Sequence, residues 1–175
     1  MLADVMKSQR KMSEAAKYYR IALKGRSLLF GQTHPDTLDV VHSLGNLLLR
    51  RKNTRDEAEE LFNDWLDLCE HELGAGHAAT LRMVNNLALV LKKLRQLERA
   101  KELFQRAAQG REALFGFDDA AVLQSYTNLA NCLRDLKQYD EAEPLYRKII
   151  ESKTQLLGSE HESTLLTLYQ FATLL

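Results

Sequence analysis

Two prolines in 175 residues leave almost nothing to break a helix from within. The eight glycines are single and spread along the chain, so no glycine loop of the phosphate-cradling kind is present. Two cysteines, Cys69 and Cys132, lie far apart in sequence with no Cys/His ligand spacing around them. That excludes a disulfide framework and fits packed, free thiols in a reducing compartment. Excess charge is missing too: Lys+Arg and Asp+Glu both total 24, whereas a general nucleic-acid binder carries a basic surplus. No apolar run approaches the roughly 18 residues of a membrane-spanning helix. The opening Met1-Leu2-Ala3-Asp4-Val5-Met6-Lys7 meets a charge before a signal-peptide core can develop. A cytoplasmic protein without membrane or nucleic-acid contact is expected.

What the chain has is a repeat, carried by three markers in one register. Long segments end in Leu29-Phe30-Gly31, Glu72-Leu73-Gly74, Leu114-Phe115-Gly116 and Leu156-Leu157-Gly158. A restart follows at His34-Pro35-Asp36-Thr37-Leu38, His77-Ala78-Ala79-Thr80-Leu81, Asp119-Ala120-Ala121-Val122-Leu123 and His161-Glu162-Ser163-Thr164-Leu165. An alanine recurs at Ala15, Ala58, Ala100 and Ala142. All three markers are spaced 43, 42 and 42 residues apart. The extra residue falls near Lys52-Asn53-Thr54, where a loop absorbs it cheaply. The units are therefore a partial repeat 1–31, repeats 32–74, 75–116 and 117–158, and a partial repeat 159–175, all in one array.

Each unit reads as two helices. After the restart, Leu81, Val84, Leu87, Ala88 and Leu91 form one helical stripe. The fourth place is always small (Gly45, Ala88, Ala130, Ala172), as a close helix approach requires. The second helix carries the marker alanine and ends at the glycine, which is expected to cap it in the left-handed conformation. Helices are predicted near 12–30, 34–50, 55–73, 77–94, 97–115, 119–136, 139–157 and 161–175.

Catalytic and metal chemistry finds little support. His34, His77 and His161 sit at equivalent places, but successive repeats lie on the order of 10 Å apart, too far to share a zinc ion. A role in capping helix starts is expected of them. His42 and His71 are isolated. Cys69 has acidic Glu70 beside it, which disfavours a thiolate, and Cys132 lies beside a packed stripe. Trp65 occupies a core position. No enzyme activity, cofactor or metal is expected.

A helix pair with a small residue, a marker alanine and an aromatic resembles the tetratricopeptide repeat. The longer period, the Leu-Gly ending, His34-Pro35-Asp36-Thr37-Leu38, Asn85-Asn86-Leu87-Ala88 and Glu141-Ala142-Glu143-Pro144-Leu145 resemble the kinesin light chain subtype. The resemblance implies an all-α, right-handed superhelical solenoid of antiparallel helix pairs. It also implies a groove for short extended peptides, often tryptophan or tyrosine flanked by acidic residues. The family's first-helix asparagine matches Asn86 and Asn128, with Ser43 in the preceding unit. Its second-helix arginine matches Arg111 and Arg26, with Cys69 and Lys153 at the other two places. The chain departs from the pattern at the inner turns, where Asn53, Arg95 and Lys137 replace a glycine.

In a hairpin solenoid the first helices line the concave face. Polar places beside their stripes are Asp39, His42, Ser43, Asn46 and Arg50, then Arg82, Asn85, Asn86, Lys92 and Lys93, then Gln124, Thr127, Asn128, Asn131, Arg134 and Asp135. Cations outnumber anions there, and asparagine suits a peptide backbone because its amide both donates and accepts. The candidate peptide-binding set is Arg82, Asn85, Asn86, Lys92, Lys93, Arg111, Gln124, Asn128, Asn131 and Arg134, facing an acidic, extended partner segment. The rival readings are a purely architectural or oligomerisation segment, and a regulatory repeat domain of a larger signalling protein. Leu2, Val5 and Met6 at one end, and Leu165, Leu168, Phe171 and Leu175 at the other, have no outer neighbour in the repeat scheme. A fragment of a longer protein, or weak self-association through uncapped ends, is the expectation.

Overall fold

The computed structural model describes residues 12–173, so the stripe Leu2/Val5/Met6 and Leu175 lie outside the described residues. Among those described there are eight α-helices and no strand. They are α1 (Met12–Phe30), α2 (Pro35–Leu48), α3 (Arg55–Leu73), α4 (Ala78–Lys93), α5 (Leu97–Phe115), α6 (Ala120–Asp135), α7 (Tyr139–Leu157) and α8 (Glu162–Ala172). A 3-10 turn, Lys52–Thr54, joins α2 to α3. The chain gathers into two compact units, Met1–Leu94 and Arg95–Leu175, so the boundary falls inside the 75–116 repeat, between its two helices. In the first unit α1 packs on α2, α2 on α3, α3 on α4, and α2 also touches α4. In the second, α5 packs on α6, α6 on α7 and α7 on α8. Short loops between packed neighbours make these pairs antiparallel.

The corner from a long helix to the next short one is built by the Gly-x-x-His-x-x-Thr spacing. The Gly74 N–H closes α3 on the Glu70 carbonyl at 3.1 Å. The Gly74 carbonyl then accepts from the His77 N–H at 3.2 Å and from the Thr80 hydroxyl at 2.8 Å. His77 Nδ1 in turn accepts the Ala79 N–H at 3.2 Å, which caps α4. Thr37 donates to the Gly31 carbonyl at 2.9 Å, and His34 and His161 cap α2 and α8 as His77 caps α4. The third corner differs. Val122 has no hydroxyl to give, and Asp119 Oδ1 accepts two N–H groups, from Ala121 at 2.8 Å and Val122 at 3.3 Å. The left-handed helical cap expected of these glycines is not found. Gly74 lies at φ 92°, ψ 156° and Gly116 at φ 83°, ψ 160°, positive φ with extended ψ, a region open essentially to glycine alone. The extended ψ turns the chain straight into the restart loop in place of a further helical residue.

Packing accounts for the small residue of the stripe. A Cβ on Gly45 would come within 2.1 Å of the Phe62 ring, which occupies the space against α2. Ala88 and Ala130 are completely buried at the same place. Leu81, Val84, Leu87 and Leu91 are buried with Phe62 in the first unit, and Leu123, Leu129 and Leu133 with Phe104 and Tyr146 in the second. Trp65, expected in the core, is half-buried.

The inner turns show what a missing glycine costs. Arg95 and Lys137 adopt φ of 66° and 63°, a left-handed conformation that a Cβ penalises by roughly 1–2 kcal/mol. Around Lys137 the hydrogen bonds are those of a Schellman motif: Lys137 N–H to Arg134 O at 2.9 Å and Gln138 N–H to Leu133 O at 2.9 Å. The turn with the extra residue avoids a left-handed residue altogether. It winds Lys52–Thr54 into a 3-10 turn pinned by the Thr54 hydroxyl on the Leu48 carbonyl at 2.6 Å.

Gly45→Ala should lose about 1–3 kcal/mol to overpacking, although alanine is the better helix former by about 1 kcal/mol. Arg95→Gly and Lys137→Gly should each gain about 0.5–1 kcal/mol as the Cβ strain is relieved against glycine's larger unfolded-state entropy. Denaturant unfolding reads all three. A gain for the first, or losses for both of the others, would contradict the packing and turn assignments.

Candidate functional site

In the first unit, polar residues form a ladder between α2 and α4. Asp39, His42 and Asn46 share one face of α2, and Arg82 and Asn86 share one face of α4. Arg82 Nη1 meets Asp39 Oδ1 at 2.7 Å. The His42 ring stands between two amides, Asn46 at 2.8 Å from Nε2 and Asn86 at 2.9 Å from Nδ1. Both amides turn their Nδ2 groups, which only donate, to the ring, and a neutral imidazole has one acceptor nitrogen, so it accepts from one of the two. Asn86 is only 2% exposed and Asn85 is buried as well. Lys92 is half-buried and Lys93 exposed, both in the last turn of α4. His42, isolated in sequence and one of the polar places beside the α2 stripe, owes its central position to α2 and α4 lying side by side.

In the second unit the candidates serve several local contacts. Gln124 donates to Asn128 one turn on, at 3.2 Å. Asn131 Oδ1 accepts the Tyr146 hydroxyl at 2.7 Å. Burial, together with nearby Asp135 and against the opposing effect of Arg134, pushes Tyr146 up to about 12. Arg134 reaches α8 through the Gln170 carbonyl at 3.3 Å and the Thr173 hydroxyl at 3.0 Å. Arg111 is 9% exposed, and its guanidinium ties α5 to α6 through the Ser125 hydroxyl at 2.7 Å and the Ala121 carbonyl at 3.4 Å. Lys93 and Gln124 are thus exposed, Arg82, Lys92, Asn128, Asn131 and Arg134 half-buried, and Asn85, Asn86 and Arg111 buried.

The Arg111 position follows a rule along the repeat. Arg111 meets a hydroxyl on the following helix, Ser125, and Lys153 meets another, Thr167, at 2.9 Å. Cys69 stands at the same place in α3 and is matched by the apolar Met83; both are fully buried. Burial is the main reason the Cys69 thiol is pushed above its usual range, with Glu72 adding to it and Arg82 opposing. Glu70, the neighbour in sequence expected to disfavour the thiolate, is not among these causes.

Each unit also holds a cavity at the same point of the repeat, between the starts of two successive short helices. The first measures about 500 Å³ and is lined by Thr33, Pro35, Leu38, Leu73, His77 and Arg82, among others. The second measures about 310 Å³ and includes Asp118, Ala120, Leu123, Lys153, Leu157 and Ser163. Arg82 Nε is buried with no hydrogen-bond partner among the described residues. Among the described residues no three His, Cys, Asp or Glu side chains group as metal ligands. None of the described helices is long and apolar enough to cross a membrane.

Two outcomes follow from the buried polar groups. Asn86→Ala should lose about 1–3 kcal/mol, because the His42 nitrogen it faces is left unsatisfied; a double-mutant cycle with His42→Ala should recover part of that loss. Tyr146, raised in the folded state, contributes stability that is complete below its unfolded value of 10.0 and lost as pH climbs toward about 12. Unfolding free energy should fall over that interval in the parent and less steeply in Tyr146→Phe. Identical slopes would remove Tyr146 as the cause.

Two models described as tetratricopeptide repeat match residues 80–121 and 119–175. No curated protein is a significant match to the sequence. Solved structures match over nearly the whole chain. BtubC (BKLC) from P. vanneervenii has a TM-score of 0.84 at 23% identity, over 99% of this chain and 68% of that one. The nearly identical TPR-like repeats of a Podosopora anserina protein assigned to the kinesin light chains give 0.80 at 21%, over 99% and 82%. YrrB, described as a TPR protein with an unusual peptide-binding site, gives 0.53 at 19%, over 98% and 82%. The repeat register, the helical hairpins and these matches agree, and the chain belongs to the tetratricopeptide repeat proteins, an all-α class of protein-interaction scaffolds similar here to the kinesin light chain repeats.

Proposed function

We propose that this chain is an adaptor module that binds an extended, acidic segment of a partner protein. The observation that carries the reading is the cavity between the starts of α2 and α4. Leu38, Leu73 and Pro35 give it apolar walls wide enough, at about 500 Å³, for a large side chain. Arg82 stands at its edge with Nε unsatisfied, although Nη1 is held by Asp39. An apolar anchor followed by a carboxylate would fill the cavity and supply the missing acceptor. Lys92 and Lys93, at the other end of α4, add positive charge along the same helix. Peptide binding by YrrB, another protein of this fold, is consistent with the reading. Asn85 and Asn86 are buried, so in this unit the charged groups and the cavity, and not these asparagines, carry the contact.

The architectural reading draws on a different observation: the Asp39–Arg82 and His42–Asn86 contacts already satisfy much of the first unit's ladder internally. Titration separates the two. A pool of peptides with tryptophan beside acidic residues should bind the parent chain, and more weakly as salt is raised, because screening acts over roughly 8 Å at physiological ionic strength. The Lys92→Glu/Lys93→Glu variant should bind at least several-fold more weakly, and Arg82→Gln should weaken acidic peptides more than neutral ones. Equal binding by parent and double variant, or none by either at high micromolar peptide, would favour the architectural reading.

A further inference from the structure

Ser13 stands in a column of the repeat whose other members are all acidic. It is the second residue of α1, and Asp56, Glu98 and Asp140 are the second residues of α3, α5 and α7. A negative charge at that place meets the free N–H groups and the positive end of the helix dipole. In α1 a hydroxyl takes the place, and Glu14 is the acidic residue of the first turn.

The surroundings of this hydroxyl are basic. Arg51, the residue before the 3-10 turn, reaches back to α1 and donates from Nη1 to Ser13 Oγ at 3.1 Å. A recess of about 150 Å³ lies beside the pair, lined by Ser13, Arg51 and Arg20 together with Ala16 and Thr54. The Arg20 guanidinium is paired with Glu57 of α3. Ser13 is exposed, and among the described residues its hydroxyl accepts from Arg51 and donates to no acceptor.

Sequence context selects the same residue. Arg10-Lys11-Met12-Ser13 and Arg51-Lys52-Asn53-Thr54 are the two places where Arg-Lys stands three and two residues before a hydroxyl. Protein kinases choose substrates by such charge patterns. Thr54 is closed to them, because it is half-buried and its hydroxyl donates to the Leu48 carbonyl at 2.6 Å. Ser13 lies in a first turn, the part of a helix that frays most readily, so the segment around it can be drawn out to a kinase.

We propose that Ser13 is a phosphorylation site whose phosphate is held by Arg51, with Arg20 at its side, and fastens α1 to the inner turn beyond α2. In the transfer the Ser13 oxygen bonds to the γ-phosphorus of a nucleoside triphosphate. The bond from that phosphorus to the bridging oxygen breaks, the diphosphate leaves with the electron pair, and the hydroxyl proton passes to the kinase's base. The phosphate brings a charge of about −1.5 to −2 near neutral pH, which gives α1 the negative group its column has elsewhere. The neutral contact with Arg51 becomes a charge-assisted one, shorter and stronger. Glu14 opposes the added charge as a like neighbour, and Glu57 competes for Arg20. The site shares no residue with the α2–α4 cavity and stands or falls independently of the adaptor reading.

The test incubates the full chain with magnesium ATP and the catalytic subunit of a cyclic-AMP-dependent protein kinase, which selects serine preceded by basic residues. Mass spectrometry should place phosphate on Ser13 and none on Thr54, and Ser13→Ala should take up none in this segment. Phosphorus NMR then follows the second proton of the attached phosphate, which ordinarily leaves at about pH 6. In the folded chain the midpoint should lie about half a unit or more below that of a phosphopeptide spanning residues 7–19, because a paired cation favours the dianion. Arg51→Gln, a change at an exposed position, should bring it back toward the peptide value. No phosphate on Ser13, phosphate on Thr54 in preference to it, or a midpoint equal to the peptide's would overturn the proposal, and none of these needs a variant to fold. An unchanged midpoint in Arg51→Gln would overturn it as well.

Discussion

The carbonyl of the terminal glycine is the group on which each repeat turns. At Gly74, Gly116 and Gly158 it receives the backbone N–H of the restart residue, and at Gly31 and Gly74 a threonine hydroxyl from inside the next helix; Thr164 in the last corner donates to the Lys153 carbonyl instead. One acceptor thus joins the end of a long helix to the first turn of a short one. The angle between them is fixed by hydrogen bonds that no side chain on the outer surface can disturb. The imidazole or carboxylate at the restart then satisfies the first free N–H of the short helix. The third corner reaches the same turn with aspartate and valine, which shows that the geometry is the constraint and the residues are solutions to it.

From that corner follows the inward pressure on the short helices. Within the units, α2 is packed on α1 and α3 and α6 on α5 and α7, while α4 is packed on α3 and touches α2, so that α4 and α6 bury half or more of their residues. Positions that would be solvated on an isolated amphipathic helix then meet a neighbour. Asn86 meets His42, Arg111 meets Ser125, and Asn131 meets Tyr146. Polar groups in such places specify how helices align, because each must find its partner or lose its hydrogen bond to water. Between the starts of successive short helices within each unit, the corners leave cavities with largely apolar walls.

The fold was legible because three markers of different chemistry shared one register, and no other architecture accounts for a glycine, a capping residue and a small packed residue all recurring at 42 or 43. The histidine caps were legible for the same reason. The sites were less so. A stripe drawn on one helix separates packed from unpacked positions, but it does not say which unpacked positions the next helix will cover. Asn86 and Arg111 therefore looked available and proved buried. Reading the repeat in columns recovers part of this: a cation or cysteine at 26, 69, 111 and 153 set beside valine, methionine, serine and threonine at 40, 83, 125 and 167 already pairs Arg111 with Ser125 and Lys153 with Thr167. The cavities needed coordinates, since their walls come from residues far apart in the chain.

The extra residue at Lys52–Thr54 shows where such an array tolerates change in length. The inner turn accepted one more residue by winding into a 3-10 turn, and the helices on either side kept their register. The outer corner has no comparable slack, because its glycine, restart residue and threonine are bound to one another at fixed separations. Duplications that break the chain at an inner turn carry a complete corner with them and remain in phase, whereas those that break it at a corner must rebuild it. A chain of such repeats can therefore change length by a residue at an inner turn without disturbing the register of its corners.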